Sequence, residues 1–417
     1  MNILKEKITL LTNSHNRKQL LINFFSLTVF QAIEVLIPII AIPIIINRVG
    51  ADKFGLISFA LVFTIFFQII INFGFNTISI RDISIYKNNI EKKNEVFNDT
   101  FNSKLILSFL CLIVFVIIIF SYSKFSVEPA IYLFTYLSLF GQSLIPIWFF
   151  QGIQETKFLT LSNFIGKSAY LILLLVFLKN ESNYLLVPIF SFVGYFITAV
   201  MSLYVVFKKH KIQYTFITFK SFKAQLKIGK YMFLSEIKLY FISYFNIFLL
   251  GLISGNQAVA YFVGAEKILR AVSNLFIPVQ NSLFPVLALK LNSNKDQASV
   301  FIKKMLSIFI FFLLTLTFVL FFFSEKIITI ALGLEMKESI MVFKILILIP
   351  LLSNLDLFFG KQILLNLNKE REFFRVVLFI AIINVPMIYF FITKYSYIGA
   401  SISQLITQTL LVIGMFY

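Results

Sequence analysis

Ionisable side chains inside long apolar stretches are the residues of this sequence with the clearest chemical meaning. A charge at the centre of a membrane-spanning helix costs about 3 kcal/mol unless it faces a cavity or a partner. One stretch carries Glu266, Arg270 and Asn274 at i, i+4 and i+8, with Lys267 beside them. Residues four apart share one helix face. The spacing therefore predicts a polar stripe that faces an aqueous cavity.

The bases of this stripe are suited to holding an anionic group. Arginine grips a phosphate with two parallel hydrogen bonds, and Lys267 adds a second positive charge. The alternative is that Glu266 and Arg270 neutralise each other and only fix helix packing. Further candidates for a cationic or polar substrate-binding cavity lie in other apolar stretches: Lys167, Lys238 and Asn246.

Carboxylates in the same setting are candidates for ion coupling, because a carboxylate facing a membrane cavity can bind and release a proton or a sodium ion. Hydrogen-bonded packing is the alternative, above all for Glu34 and Asp356. One apolar stretch adds an uncharged polar face with Ser401, Gln404 and Gln408. The four carboxylate candidates are Glu34, Glu236, Glu266 and Asp356.

Cofactor and metal chemistry find little support in the sequence. The two histidines, His15 and His210, lie in polar segments, and the single cysteine, Cys111, lies in an apolar run. Gly166-Lys167-Ser168 matches the end of a phosphate-binding loop, but Leu161 stands where that motif requires glycine. We expect neither a metal ion nor a cofactor.

The composition identifies the elements that must position these side chains. Of the 417 residues, 59% are hydrophobic and only 13% are charged, against roughly a quarter charged in a soluble domain. The net charge of +18 would suggest nucleic acid in a soluble protein. Here the lysines and arginines concentrate in alternate loops, so we expect a membrane protein with no nucleic-acid partner.

Twelve apolar runs have the length of a membrane-spanning helix, which predicts an all-α polytopic membrane protein. The basic loops, in which we include Lys104 just before the third run, place both termini in the cytoplasm. The predicted spans are residues 22–46, 54–75, 105–121, 130–150, 158–178, 184–207, 231–253, 258–285, 305–323, 340–359, 373–393 and 397–416.

A weak internal repeat predicts two six-helix halves around a central cavity. Gly50 and Gly255 each follow an apolar run and precede the next, in similar local sequences. The predicted halves are residues 1–207 and 231–417, joined by a basic amphipathic cytoplasmic linker at 208–230. Within the linker, an apolar stripe of Phe219, Phe222 and Leu226 beside lysines predicts a helix on the membrane surface with anionic lipid as its partner.

Several motifs resemble those of the polysaccharide repeat-unit flippases, the Wzx-type O-antigen exporters. The most specific match is Pro146-Ile147-Trp148-Phe149-Phe150-Gln151-Gly152. Two others are the run Asn47-Arg48-Val49-Gly50-Ala51-Asp52-Lys53-Phe54-Gly55 and, more loosely, Gly264-Ala265-Glu266-Lys267. The resemblance covers essentially the whole chain. That family lies within the multidrug/oligosaccharidyl-lipid/polysaccharide exporter superfamily.

The resemblance implies a flippase in the bacterial inner membrane rather than an enzyme. It implies transport of an undecaprenyl-diphosphate-linked oligosaccharide by alternating access, with coupling to a proton or sodium ion left open. A polysaccharide polymerase and a chain-length regulator are the protein partners it suggests. Two alternatives stay open: an exporter of small cationic drugs, which predicts an acidic cavity, and a membrane enzyme acting on lipid-linked sugars.

Overall fold

The computed structural model describes residues 14–277, 279–280, 283, 287, 295–364, 367 and 369–416. Every regular element in this part of the chain is helical. The α-helices are α1 Ser14–Asn72, α2 Phe75–Ile85, α3 Ile90–Ser121, α4 Ser123–Ser126, α5 Pro129–Ser143, α6 Ile147–Ile153, α7 Thr156–Phe177, α8 Leu186–Lys208, α9 Phe219–Ser254, α10 Asn256–Asn274, α11 Lys295–Phe322, α12 Ser324–Leu332, α13 Glu338–Leu346, α14 Ile349–Leu357 and α15 Glu370–Phe416.

The described residues contain eight helical segments long and apolar enough to cross a membrane. Two of these segments, Thr28–Ile85 and Arg371–Phe416, contain residues with non-helical backbone, Gly50 and Ser396. In both cases a single residue joins two apolar runs that the sequence predicts as separate spans. The all-helical membrane fold is confirmed, while the count of twelve spans stays a prediction.

The two glycines aligned by the sequence repeat share one backbone conformation. Gly50 has φ 76° and ψ 169°, and Gly255 has φ 84° and ψ −177°. This region of backbone space is essentially restricted to glycine. Gly50 interrupts α1 and Gly255 separates α9 from α10, so the repeat has a local structural counterpart.

Contacts group the chain into two compact units. The N-terminal unit comprises residues 1–37, 63–178 and 185–237, and the C-terminal unit comprises residues 38–62, 179–184 and 238–417. These boundaries differ from the predicted halves in placing residues 38–62 with the later helices. The predicted boundaries at 207 and 231, and the central cavity, stay predictions.

The motif that carries the family resemblance lies in a buried hydrophobic cluster of the N-terminal unit. Trp148, Phe149 and Phe150 of α6 are fully buried in one cluster with Phe97 of α3. A side chain on Gly152 would lie 2.6 Å from Ile83 of α2, so glycine is required for this close approach. The motif therefore has a packing role.

The linker region differs from the predicted surface helix. Residues 209–218 have no helical structure, and α9 then runs from Phe219 to Ser254 as one helix. Phe222 is only 7% exposed and packs with Phe75 and Leu107 in a cluster that Leu226 joins, whereas Phe219 is 79% exposed. Phe222 is thus covered by protein and Leu226 partly so, because α9 packs on α2 and α3.

Candidate functional site

The C-terminal unit contains a polar cavity of about 270 Å³, which we call the C-terminal cavity. Five of the sequence-predicted site residues line it: Asn246, Glu266, Arg270, Asn274 and Asp356. The other polar lining residues are uncharged: Ser243, Ser273, Ser353, Asn354, Asn384, Gln404, Thr407 and Gln408. Helical spacing in the sequence points to four of them, because Ser243 and Ser273 share polar faces with Asn246 and Arg270, and Gln404 and Gln408 share one with each other. Sequence reasoning missed Ser353, Asn354, Asn384 and Thr407.

Glu266 and Arg270 form the ion pair that their spacing allows. Arg270 Nε donates a hydrogen bond of 2.6 Å to Glu266 Oε1, and Nη2 contacts the same oxygen. Glu266 is buried, and the guanidinium also lies 5.5 Å from the Tyr244 ring centroid. The pair is neutral overall, as the packing alternative required, yet it borders the cavity.

Asp356 contributes a second carboxylate to the C-terminal cavity. Its Oδ2 accepts a hydrogen bond of 3.3 Å from Gln408 Nε2. The lining therefore holds two carboxylates and one guanidinium, which is not the cationic surplus expected from the stripe. Lys267 is half-buried, has partners of its own and is not a lining residue.

Buried amides complete the wall of this cavity. Thr407 Oγ1 donates to Asn384 Oδ1 at 2.5 Å, and Gln280 Nε2 donates to Asn354 Oδ1 at 2.8 Å. Asn246 Nδ2 donates to the Ala400 carbonyl at 2.9 Å. That bond orients the amide and leaves the buried Asn246 Oδ1 without a hydrogen-bond partner among the described residues. The wall of the cavity thus contains a buried oxygen acceptor whose hydrogen-bonding capacity is unused among the described residues.

A second polar cluster lies in the N-terminal unit and unites two residues predicted for different roles. Lys167 Nζ lies 3.3 Å from Glu34 Oε2, and Asn163 Nδ2 donates a hydrogen bond of 3.0 Å to Glu34 Oε1. The ammonium also lies 5.0 Å from the centroid of the Tyr195 ring. Lysine, carboxylate, amide and aromatic ring together can contact both a phosphate and a sugar.

Glu236 interacts electrostatically with Lys104 of α3 in the same unit. The sequence assigned Lys104 to a basic loop, but α3 begins at Ile90 and Lys104 is 4% exposed. That assignment is wrong because the helix extends well before its apolar run. The side chain of Lys238 lies outside the described residues.

Residues 20–289 match the sequence family described as polysaccharide biosynthesis protein. The chain belongs to this family. Over 396 residues it is 23% identical to the "Putative O-antigen transporter" of Escherichia coli (strain K12), covering 95% of each chain. The resemblance seen in the motifs is thereby confirmed, and the similar protein is named as a transporter rather than an enzyme.

Solved transporter structures share the fold. An inward-facing multidrug resistance MATE family transporter of the MOP superfamily superposes with a TM-score of 0.71, at 14% identity, over 91% of this chain and 93% of that one. The lipid II flippase MurJ, in an inward closed conformation, gives 0.66 at 14% identity over 95% of this chain and 87% of that one. At such identities the likeness establishes the fold alone.

Proposed function

We propose that this protein is a flippase that moves oligosaccharide repeat units linked to undecaprenyl diphosphate across the bacterial inner membrane by alternating access. Membership of the polysaccharide biosynthesis family carries the proposal, supported by the name of the E. coli relative. Both termini are then cytoplasmic, and a polymerase and a chain-length regulator would act on the exported units.

Charged and polar side chains inside each unit supply the chemistry that this cargo needs. In the N-terminal unit, Lys167 beside Tyr195 offers a cation and an aromatic face. In the C-terminal unit, Arg270, Asn246 and Asn274 line the C-terminal cavity of about 270 Å³. Lys238 and Lys267 remain candidates from sequence position. A diphosphate requires the cations, and sugar hydroxyls require the amides and carboxylates.

The C-terminal cavity is the proposed site of ion coupling. Asp356 has a neutral partner, Gln408, and lines the cavity together with Glu266 and Asn246. The side-chain oxygen of Asn246 has no hydrogen-bond partner in the described part of the chain. Carboxylate and amide oxygens bind a sodium ion, and the carboxylates alone bind a proton. Glu34 and Glu236, which face lysines, are the other coupling candidates.

Leaflet-resolved translocation in proteoliposomes tests the proposal. An undecaprenyl-diphosphate glycan is placed in one leaflet, and its protection from an added glycan-cleaving enzyme is followed with and without a proton or sodium gradient. We expect protein-dependent flipping that responds to one gradient. Folded protein that flips none of several glycans would overturn the proposal.

One variant and one control test whether Asp356 couples an ion gradient to flipping. Asp356→Asn removes a carboxylate from the cavity without changing its size, and Glu335→Gln removes an exposed carboxylate of the same unit as a control. We expect Asp356→Asn to lose the response to the gradient and Glu335→Gln to keep it. A full response in Asp356→Asn would move the coupling site elsewhere.

Export of small cationic compounds is a second candidate, favoured by one observation. The C-terminal cavity carries two carboxylates against one guanidinium, the acidic bias that a cationic drug would require. Efflux of a cationic dye from the same proteoliposomes decides between the two functions. Dye efflux without glycan flipping would establish the drug exporter.

A further inference from the structure

A buried lysine that the proposed function does not use lines a small cavity in the N-terminal unit. This N-terminal cavity of about 50 Å³ is bordered by Lys104 and by the side chains of Gln68, Asn72, Asn76, Gln142 and Ser143. Its volume is several times the ~10–15 Å³ that one water needs. Among the described lining residues Lys104 is the one with a charge, so the lining is positive.

The hydrogen bonding of Lys104 leaves capacity for a ligand. Its ammonium carries three N–H donors. Within the described residues Asn76 Oδ1 is the one hydrogen-bond acceptor, at 3.4 Å, which is a long and weak bond. Two other lining residues bond to each other, with Gln68 Nε2 donating to Gln142 Oε1 at 2.6 Å. A buried ammonium with so little protein coordination is costly unless something else supplies oxygen atoms.

The backbone beside the cavity favours a negative ligand as well. Phe73 and Gly74 interrupt the helical structure between α1 and α2, with positive φ angles of 42° and 72°. Helix α2 then starts without a side-chain cap, and Asn76 lies in its first turn. The N–H groups of an uncapped helix start attract anions, and Asn76 of this first turn is a lining residue of the cavity.

Helix α9 packs closely against the junction between α1 and α2 and carries a carboxylate that interacts with Lys104. A Cβ atom on Gly74 would lie 2.4 Å from Met232 Cβ, so α9 contacts the chain directly before the start of α2. Glu236 lies one turn after Met232 on the same face of α9 and interacts electrostatically with Lys104. Glu236 is not a lining residue of the cavity. It stabilises the charge of Lys104 and competes with any anion for it.

We propose that the N-terminal cavity is an anion site that takes a phosphate-type group, with Lys104 as its charged donor. Amide groups of Asn72 and Gln142 and the hydroxyl of Ser143 supply further hydrogen bonds, since each can turn a donor to the ligand. The phosphate can come from a lipid headgroup or from solution. Its identification with the diphosphate of the transported lipid rests on the proposed function, whereas the anion site itself does not.

Titration of pyrophosphate into the purified protein in phosphatidylcholine nanodiscs tests the site. We expect Lys104→Met to bind about 10- to 100-fold more weakly, the range expected for one charge-assisted hydrogen bond. Glu236→Gln removes the competitor and should bind more tightly than the unmodified protein. A merely structural ion pair predicts no change in pyrophosphate affinity for either variant, and that result would overturn the site.

The double variant Lys104→Met/Glu236→Gln controls for loss of binding through misfolding, because it removes both charges of the pair and leaves neither one uncompensated. It should retain its thermal unfolding transition and bind pyrophosphate about as weakly as Lys104→Met. If the double variant binds pyrophosphate as tightly as the unmodified protein, the proposal is overturned. It is also overturned if neither the unmodified protein nor Glu236→Gln binds pyrophosphate.

A second set of nanodiscs containing an undecaprenyl phosphate lipid identifies the source of the phosphate. If the lipid headgroup occupies the site, it competes with pyrophosphate, so the apparent pyrophosphate affinity is lower in these nanodiscs than in phosphatidylcholine alone. This difference should be absent in Lys104→Met. Equal affinity in the two kinds of nanodisc supports a soluble anion. A protein that binds pyrophosphate through Lys104 but flips no glycan would keep the anion site and lose the proposed function.

Discussion

Gly55 and Asn256 pack so closely that a methyl group on Gly55 would lie 1.8 Å from the carbonyl oxygen of Asn256. The backbone nitrogen of Ala260 would be 3.1 Å away. Gly55 and Ala260 each lie five residues after the glycines of the predicted repeat, Gly50 and Gly255. Two corresponding helix starts of the C-terminal unit therefore meet backbone to backbone.

Gly55→Ala should destabilise the protein, because the clash is with backbone that cannot rotate away. Overpacking of this kind costs about 1–3 kcal/mol, measurable as a lower thermal unfolding midpoint in detergent. Gly414→Ala is the control, since its methyl group would meet the movable side chain of Val376 at 2.6 Å. An unfolding midpoint of Gly55→Ala at or above that of the control would contradict the packing argument.

Gly50→Ala and Gly255→Ala test backbone conformation without a change in packing. A side chain on either glycine would meet nothing within 4 Å, so the expected cost of about 1–3 kcal/mol comes from the positive φ alone. Asparagine tolerates the left-handed helical region but not ψ near 180°, so Gly50→Asn should be equally destabilised. Recovery of the unfolding midpoint in Gly50→Asn would show that the chain does not hold this conformation.

Exchanging the charges of Glu34 and Lys167 tests their ion pair. Either single reversal, Glu34→Lys or Lys167→Glu, places like charges together and should lower the unfolding midpoint and the flipping rate. The double variant restores opposite charges and should recover part of both, with a coupling energy of about 0.5–3 kcal/mol. Strictly additive effects on stability would mean that the two side chains do not interact.

Asn98 holds the segment before α9 with two hydrogen bonds, from its Nδ2 to the Gln213 carbonyl at 2.8 Å and from Thr215 N to its Oδ1 at 3.0 Å. Asn98→Ala should lose about 1–3 kcal/mol of local stability and accelerate tryptic cleavage after Lys211 about tenfold or more. Asn94→Ala removes one bond, of 3.2 Å to Gln213 N, and should have a smaller effect. Equal cleavage rates for the two variants would refute this role of Asn98.

The pKa of His210 predicts a loss of stability in acid. Burial lowers this pKa below its ordinary value, with Lys209 and Lys93 acting in the same direction and Glu155 opposing them. The unfolded chain then takes up the proton at a higher pH than the folded protein, so stability falls as the pH drops through about 6.5. Little change is expected above that pH.

His210→Phe isolates this contribution, because it keeps the ring contact with Phe149, whose centroid lies 5.4 Å away, and cannot titrate. The unfolding midpoint of the unmodified protein should fall more steeply between about pH 7.5 and 5.5 than that of the variant. Identical pH profiles would assign the acid sensitivity to other groups.

The sequence alone determined the class of the protein and much of its polar machinery. A composition with 13% charged residues and long apolar runs requires membrane helices, since only internal hydrogen bonds can satisfy backbone groups in lipid. Helical periodicity also paired Glu266 with Arg270 correctly, because residues four apart are neighbours in any α-helix.

Tertiary structure decided which of these groups meet. Lys167 and Glu34 are 133 residues apart in sequence but form one ion pair, and the amides of Asn354 and Asn384 join the C-terminal cavity only through helix packing. The sequence places Lys104 in a loop because hydropathy marks apolar runs, not helix ends. Its burial depends on the packing of α1, α2 and α5 around α3, which is set by contacts between residues that are remote in sequence.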